Sequence, residues 1–330
     1  MVILALATGC DNVEWGGASV ALQPPPPATV GAAPAEDSLQ TGEPDAPPPP
    51  PLPEGAVLYA GTRSGASVTL RPLFELRGDT IVELTDEAEA PGYNTHYAAT
   101  LLAPGTEFTL FADGVRVGTL VAESAGVDAG WCRPTPSVQG VPELVPAAAS
   151  ATRFLALART DEGAARTHAA GAFPAVAASH REGSRLMAQT AIMRESALWP
   201  DDLSAARADL AVTRLAPDEP PTVAATFMFR DRLAVEDPGT PVAYSLFVLG
   251  TETEGRYLLD YTWYRRVGDA AKGAPRFFQQ FDWDGDERPE VLLEVMGTAS
   301  RWPAVLELDD GEWELVYEAG CSAETAPTGE

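Results

Sequence analysis

The feature that most limits what this chain can fold into is a run of short alternating segments after residue 207, each closed by a turn signal. "ADLAVTRL", "TVAATFMFRD", "VAYSLFVLG", "RYLLDYTWYRRV", "PRFFQQFDWD", "EVLLEVM", "AVLELDD" and "EWELVYEAG" are rich in β-branched and aromatic residues. Asp237-Pro238-Gly239, Glu254-Gly255, Gly268-Asp269 and Asp310-Gly311 stand between them, a spacing that predicts an antiparallel meander. From Gly55 to about Gly130 the pattern repeats in "SVTLRPLFEL", "DTIVELT" and "EFTLFADGVRVGTLVAE". The last holds Asp113-Gly114 between two alternating runs, a hairpin signal, so a small antiparallel sheet or barrel is expected there. Between about Val141 and Leu203 the composition turns to Ala, Arg and Glu. Here "ASHREGSRLMAQTAIMRESALW" offers Leu186, Met187, Ala191 and Ile192 near helical spacing behind a Ser179 cap, with Met187 and Met193 expected in a core. Gly183 weakens its first turn. The predicted class is mainly β with a helical insert (α+β). A small β domain spans 54–140, and a helical segment followed by an antiparallel meander spans 141–330.

Charge narrows the function. With 48 acidic against 22 basic residues the net charge is −26, and a surface so poor in Lys and Arg cannot replace the counterions of a nucleic acid. It attracts cations instead. The sequence has no G-x-S-x-G, H-E-x-x-H or glycine-rich phosphate loop, and His96, His168 and His180 are too dispersed for a zinc site. No catalytic residue is assigned. Tyr257, Tyr261, Trp263 and Tyr264 are expected to line a core or a sheet face, with an exposed carbohydrate platform as the alternative. No apolar stretch is long enough for a transmembrane helix.

Residues 16–53 contain "QPPPPATVGAAPAEDSLQTGEPDAPPPPPLP". Pro24–Pro27 and Pro47–Pro51 lock φ and cannot donate hydrogen bonds, so they favour extended polyproline II, and the small and acidic residues between them cannot bury enough area to fold. A disordered tether is expected over 10–53. Ahead of it, "MVILALATGC" places an apolar run, Val2 to Ala7, before Thr8, Gly9 and Cys10. This resembles the lipobox of bacterial lipoproteins, although Ala7 stands where Leu is commonest and no Lys or Arg precedes the run. The resemblance implies a signal remnant at 1–9, lipidation of Cys10, a membrane partner reached through that lipid anchor, and an extracytoplasmic place in a bacterial cell envelope. An envelope protein or glycan is the further partner expected there. The competing reading is a cytosolic chain with a disordered apolar tip. With Cys10 lipidated, Cys132 and Cys321 remain as an even pair, for which an oxidising compartment permits a disulfide; two unpaired buried thiols are the alternative.

Residues 281–295 read "FDWDGDERPEVLLEV". Asp282, Asp284, Asp286 and Glu290 fall at positions one, three, five and nine, the carbonyl of Arg288 at seven, and Gly285 allows a bend. Alternate acids in a tight loop suit Ca²⁺, a hard cation that takes about six to eight oxygens. The EF-hand pattern fails, because Glu287 and Leu293 stand where its Gly and bidentate Glu are needed. The segment more closely resembles the calcium loop of FG-GAP and VCBS repeats, D-x-D-G-D-x-x-x-D/E before an apolar strand, here "VLLEV". That resemblance implies Asp282, Asp284, Asp286 and Glu290 as side-chain ligands. Glu287 occupies the sixth position, where glycine is usual, and one copy is visible. A solvated acidic turn and a glycosidase-type carboxylate pair are the alternatives. The expected function is a noncatalytic binding or structural envelope lipoprotein whose body is stabilised by Ca²⁺. The alternative is an extracytoplasmic hydrolase of glycan or peptide.

Overall fold

The structure, a computed structural model, describes residues 48–78, 80–84, 91–128, 131–161, 167, 175–216 and 218–320. All of them belong to one compact unit, Pro48–Glu330. The signal-like segment, Cys10, the tether through residue 47, His168 and Cys321 lie outside the described residues.

The first sheet contains β1 (Ala56–Ser64), β2 (Ser67–Arg77), β3 (Thr80–Val82), β4 (Glu107–Ala112), β5 (Val115–Val121), β6 (Ser124–Asp128), β7 (Thr135–Gly140), β8 (Pro142–Leu144) and β9 (Arg153–Ala158). Its pairings are all antiparallel. β5 runs into β6 and β7 into β8, so these four strands form one long bent hairpin. The β6–β7 half joins β2, and the β5–β8 half joins β4. Since β4 pairs with β9, β9 with β1 and β1 with β2, the circuit closes into a barrel, which leaves few open edges. Inward residues of the alternating strands, among them Tyr59, Leu70, Phe108, Leu110, Val117, Val138 and Phe154, fill it.

Two features of this region differ from the sequence reading. The expected boundary at 140 cuts the barrel, because β8 and β9 lie beyond it and β9 is flanked on both sides by partners. The Ala-rich composition of "RFLALA" masks a strand that buries Phe154 and Ala156 inward and Leu155 and Leu157 outward. In addition, α1 (Tyr93–Leu101) interrupts the expected strands. It starts after Gly92 (φ 82°) and inserts Tyr93 and Tyr97, one turn apart, into the barrel core, with the hydroxyls of Tyr97 and Tyr59 2.9 Å apart. His96 therefore sits on a helix. With only these two large side chains buried, α1 has little apolar periodicity to read.

The rest of the body stacks on the barrel. The meander β15 (Ala274–Phe281), β16 (Glu290–Met296), β17 (Arg301–Asp309) and β18 (Glu312–Glu318) forms one sheet. A second comprises β10 (Arg207–Thr213), β11 (Thr222–Phe229), β12 (Tyr244–Thr253), β13 (Arg256–Tyr257) and β14 (Tyr261–Arg266). Leu58, Phe74, Leu155 and Leu157 of the barrel wall meet Phe278, Phe281, Leu292 and Val305 of the meander. The opposite face of the meander, with Phe277, Val291, Leu293, Val295 and Trp302, meets Phe247, Leu249 and Trp263 of the second sheet. Strand β16 is buried at every position because both of its faces are covered, which explains its nearly continuous apolar run.

On the outer side of the second sheet lies α2 (Ala178–Arg194), followed by the short α3 (Leu203–Ala206). Met187, Ala188, Ala191 and Ile192 of α2 pack on Val223, Phe227, Leu246 and Val248. Ser179 lies inside the helix rather than at its cap; His180 folds back instead, its Nδ1 accepting from the Ala177 N–H at 3.0 Å. Met193, expected in the core, is 63% exposed because it points away from the sheet. Trp263 is buried between sheets, so no four-ring platform forms. No helix among the described residues is long and apolar enough to cross a membrane.

Candidate metal centre

The acidic segment is the connection between β15 and β16, which pair from Ala274↔Met296 down to Phe281↔Glu290. Two anchors hold it. Trp283, 4% exposed, inserts between barrel and meander and meets Phe74 edge-on with ring centroids 5.7 Å apart. The Asp282 carboxylate, 1% exposed, accepts from the Gly285 N–H (2.7 Å) through Oδ1 and from the Glu287 N–H (3.0 Å) through Oδ2. The same device recurs further on, where Asp284 Oδ1 accepts from the Asp286 N–H (3.1 Å) and Asp286 Oδ1 from the Arg288 N–H (2.7 Å). These local bonds satisfy a loop whose backbone is not in the ladder, as Asx turns do.

The result gathers three of the expected ligands. Carboxylate oxygens of Asp282, Asp284 and Asp286 lie within 4.8 Å of one another, the first buried, the second half-buried and the third exposed. Glu290 is outside that group. It sits at the start of β16, 4% exposed, with Oε2 accepting from the Trp283 N–H at 3.3 Å. Burial pushes the Asp282 carboxyl above the usual carboxylate range, helped by Asp284 and Asp286 and opposed by the Gly285 and Glu287 N–H groups. Burial pushes Glu290 up to about 9, with the charges of Asp284 and Asp282 acting in the same direction. A hard cation among the three aspartates removes this repulsion, and their all-oxygen donor set fits one. The departure at position six also has a geometric reading: Glu287 adopts φ 72°, the left-handed conformation for which glycine is ordinarily selected.

Glu307, which the sequence reading did not single out, joins Asp284, Glu290 and Thr80 around a cavity of about 260 Å³ beside the loop. It lies on β17 and Thr80 on β3, far from the loop in sequence, so only the tertiary fold brings them there. Of the expected disulfide, Cys132 is disulfide-bonded, and its expected partner Cys321 falls outside the described residues. The chain just before residue 321 reaches the same region, since the Gly320 N–H donates to Glu83 (2.9 Å) and Ala319 lines a cavity with Cys132. The three aspartates can hold a metal ion, and no protein family, curated protein or solved structure matches the chain to say which.

Proposed function

We propose that this chain is a bacterial cell-envelope lipoprotein, anchored through lipid on Cys10 and raised on the proline-rich tether, with a noncatalytic β-rich body that binds Ca²⁺ in the 282–290 loop. The observation that carries the calcium reading is the convergence of Asp282, Asp284 and Asp286 within 4.8 Å. The ion acts as a clip. It neutralises like charges at the mouth of β16 and holds the turn that joins the first two strands of the meander, with the Arg288 carbonyl and Glu290 as the remaining protein ligands. The bonded state of Cys132 supports an oxidising compartment. Isothermal titration of the chelated protein with Ca²⁺ tests the clip. Saturable heat that Asp284→Ala abolishes is expected, and its absence in the wild type rejects the site.

A second reading rests on the cavity beside the loop. Glu290, protonated at neutral pH when no cation is bound, would be the acid of a glycan or peptide hydrolase, and Asp284 or Glu307 across the cavity its base. Turnover of cell-wall glycan fragments that is lost in both Glu290→Gln and Glu307→Gln would favour it over the clip.

A further inference from the structure

A second cleft opens where the barrel, the meander and the second sheet meet. It has a volume of about 300 Å³, within the range of small-molecule sites, and Asp113, Ser150, Thr152, Arg153, Phe278 and Gln279 are among its lining residues. One wall carries a bulge in β15, where Phe278 is left without a partner across the ladder and Gln279 resumes the pairing with Leu292. The Gln279 amide then bridges the two barrel segments. Its Oε1 accepts from the Asp113 N–H (2.7 Å), and its Nε2 donates to the Arg153 carbonyl (2.9 Å).

Among the described residues no carboxylate forms an ion pair with Arg153, whereas Arg276 and Arg301 nearby both pair with Glu294. One N–H of Arg153 donates to the Phe277 carbonyl (2.8 Å), which leaves most of the five-donor guanidinium uncommitted. The neighbouring carboxylate Glu294 is taken by Arg276 and Arg301, and Asp209 acts on Arg153 only through space. Asp113, lining the same cleft, makes no ion pair with Arg153 either.

We propose that this cleft binds a small carboxylate-bearing ligand of amino-acid or dipeptide size, with Arg153 gripping the carboxylate and Asp113 receiving the amine or hydroxyl at the other end. The planar guanidinium fork matches a carboxylate bidentately, and the Phe277 carbonyl already fixes its orientation, so little side-chain freedom is lost on binding. Burial pushes the Asp113 carboxyl up to about 6, so it is ionised at neutral pH and able to accept from an ammonium group. The proposal does not depend on the calcium loop, whose residues line none of this cleft although the loop follows β15 directly.

The test is a titration of the full chain, following the Arg153 Nε–Hε signal by NMR, with glycylglycine as the probe and glycylglycinamide as its carboxylate-free control. A saturable shift for glycylglycine is expected, with the amide at least about tenfold weaker. Arg153→Gln should lose that binding and Arg153→Lys weaken it. In Asp113→Asn the advantage of glycylglycine over N-acetylglycylglycine should disappear. Asp284→Ala should bind glycylglycine like the wild type, so a failed calcium site and a failed cleft are told apart. No saturable shift, equal binding of acid and amide, or undiminished binding by folded Arg153→Gln would overturn the proposal and leave Arg153 as a brace for β15.

Discussion

Individual residues with left-handed backbone carry much of the turn chemistry here. Asp113, Glu254 and Asp310 have φ of 48°, 52° and 47°, each followed by a glycine at positive φ, the pattern of two-residue hairpin turns. All three Asp/Glu-Gly pairs are readable in the sequence because the requirement is local. What is not local is the cost of burying Asp113. Its carboxyl is raised from 3.8 to about 6 by burial, with the Thr213 hydroxyl opposing. A raised acid contributes its stability fully below the unfolded value and loses it as pH rises through the folded one. Asp113→Asn keeps a residue that tolerates left-handed φ and removes the charge. Its stability should match the wild type near about pH 4 and exceed it near about pH 8 by on the order of 1–2 kcal/mol after solvent screening, with a correspondingly higher melting temperature. A thermal melt at both pH values checks this, and an unchanged difference would mean that the carboxyl is not desolvated. Glu287→Gly should raise the melting temperature of the metal-free protein, because it relieves left-handed strain of about 1 kcal/mol and one like charge.

At the scale of elements, close approach and buried charge decide more than propensity does. Gly183 in the first half of α2 lowers helix propensity, yet a Cβ there would overlap the Tyr257 ring, so the glycine lets the helix close on β13. Gly183→Ala would add about 1 kcal/mol in an exposed helix. Here it should lower stability, and a melting temperature above the wild type would show that α2 docks less tightly. Strand β16 shows the same logic in charge. Glu294, 2% exposed, faces the barrel side beside Leu292 and accepts from Arg276 Nε at 2.7 Å and from Arg301 Nη1 at 2.9 Å. Removing one partner of such a buried network costs about 3–5 kcal/mol. Glu294→Ala should therefore lose an amount of that order in urea unfolding, against a small loss for exposed Glu312→Ala. The eight meander segments were legible as strands from alternation and turns. Only "RYLLDYTWYRRV" divides, into β13 and β14, because Leu258, Leu259 and Asp260 between them belong to neither strand.

For the molecule as a whole, the barrel, the meander, the second sheet and α2 follow one another in packing order, each layer covering the apolar face of the next. A disulfide from Cys132 to Cys321 would close most of this body into one loop, worth about 4 kcal/mol in the chain-entropy model. Mass mapping without reduction should return the 132–321 cross-link, and two free thiols would reject it. Fractionation of cells should move the protein from membranes to the soluble phase on Cys10→Ser. By itself the sequence determined the strand-rich class, the tether composition, the hairpin turns and the acid spacing of the 282–290 loop, because each depends on neighbours a few residues apart. Tertiary structure alone decided that β9 belongs to the barrel and that Tyr93 and Tyr97 make a helix worth burying. It also decided that Arg153 lacks an acid while Glu294 has two arginines. These depend on which surfaces meet, and pairings across long separations leave no periodic trace in the chain.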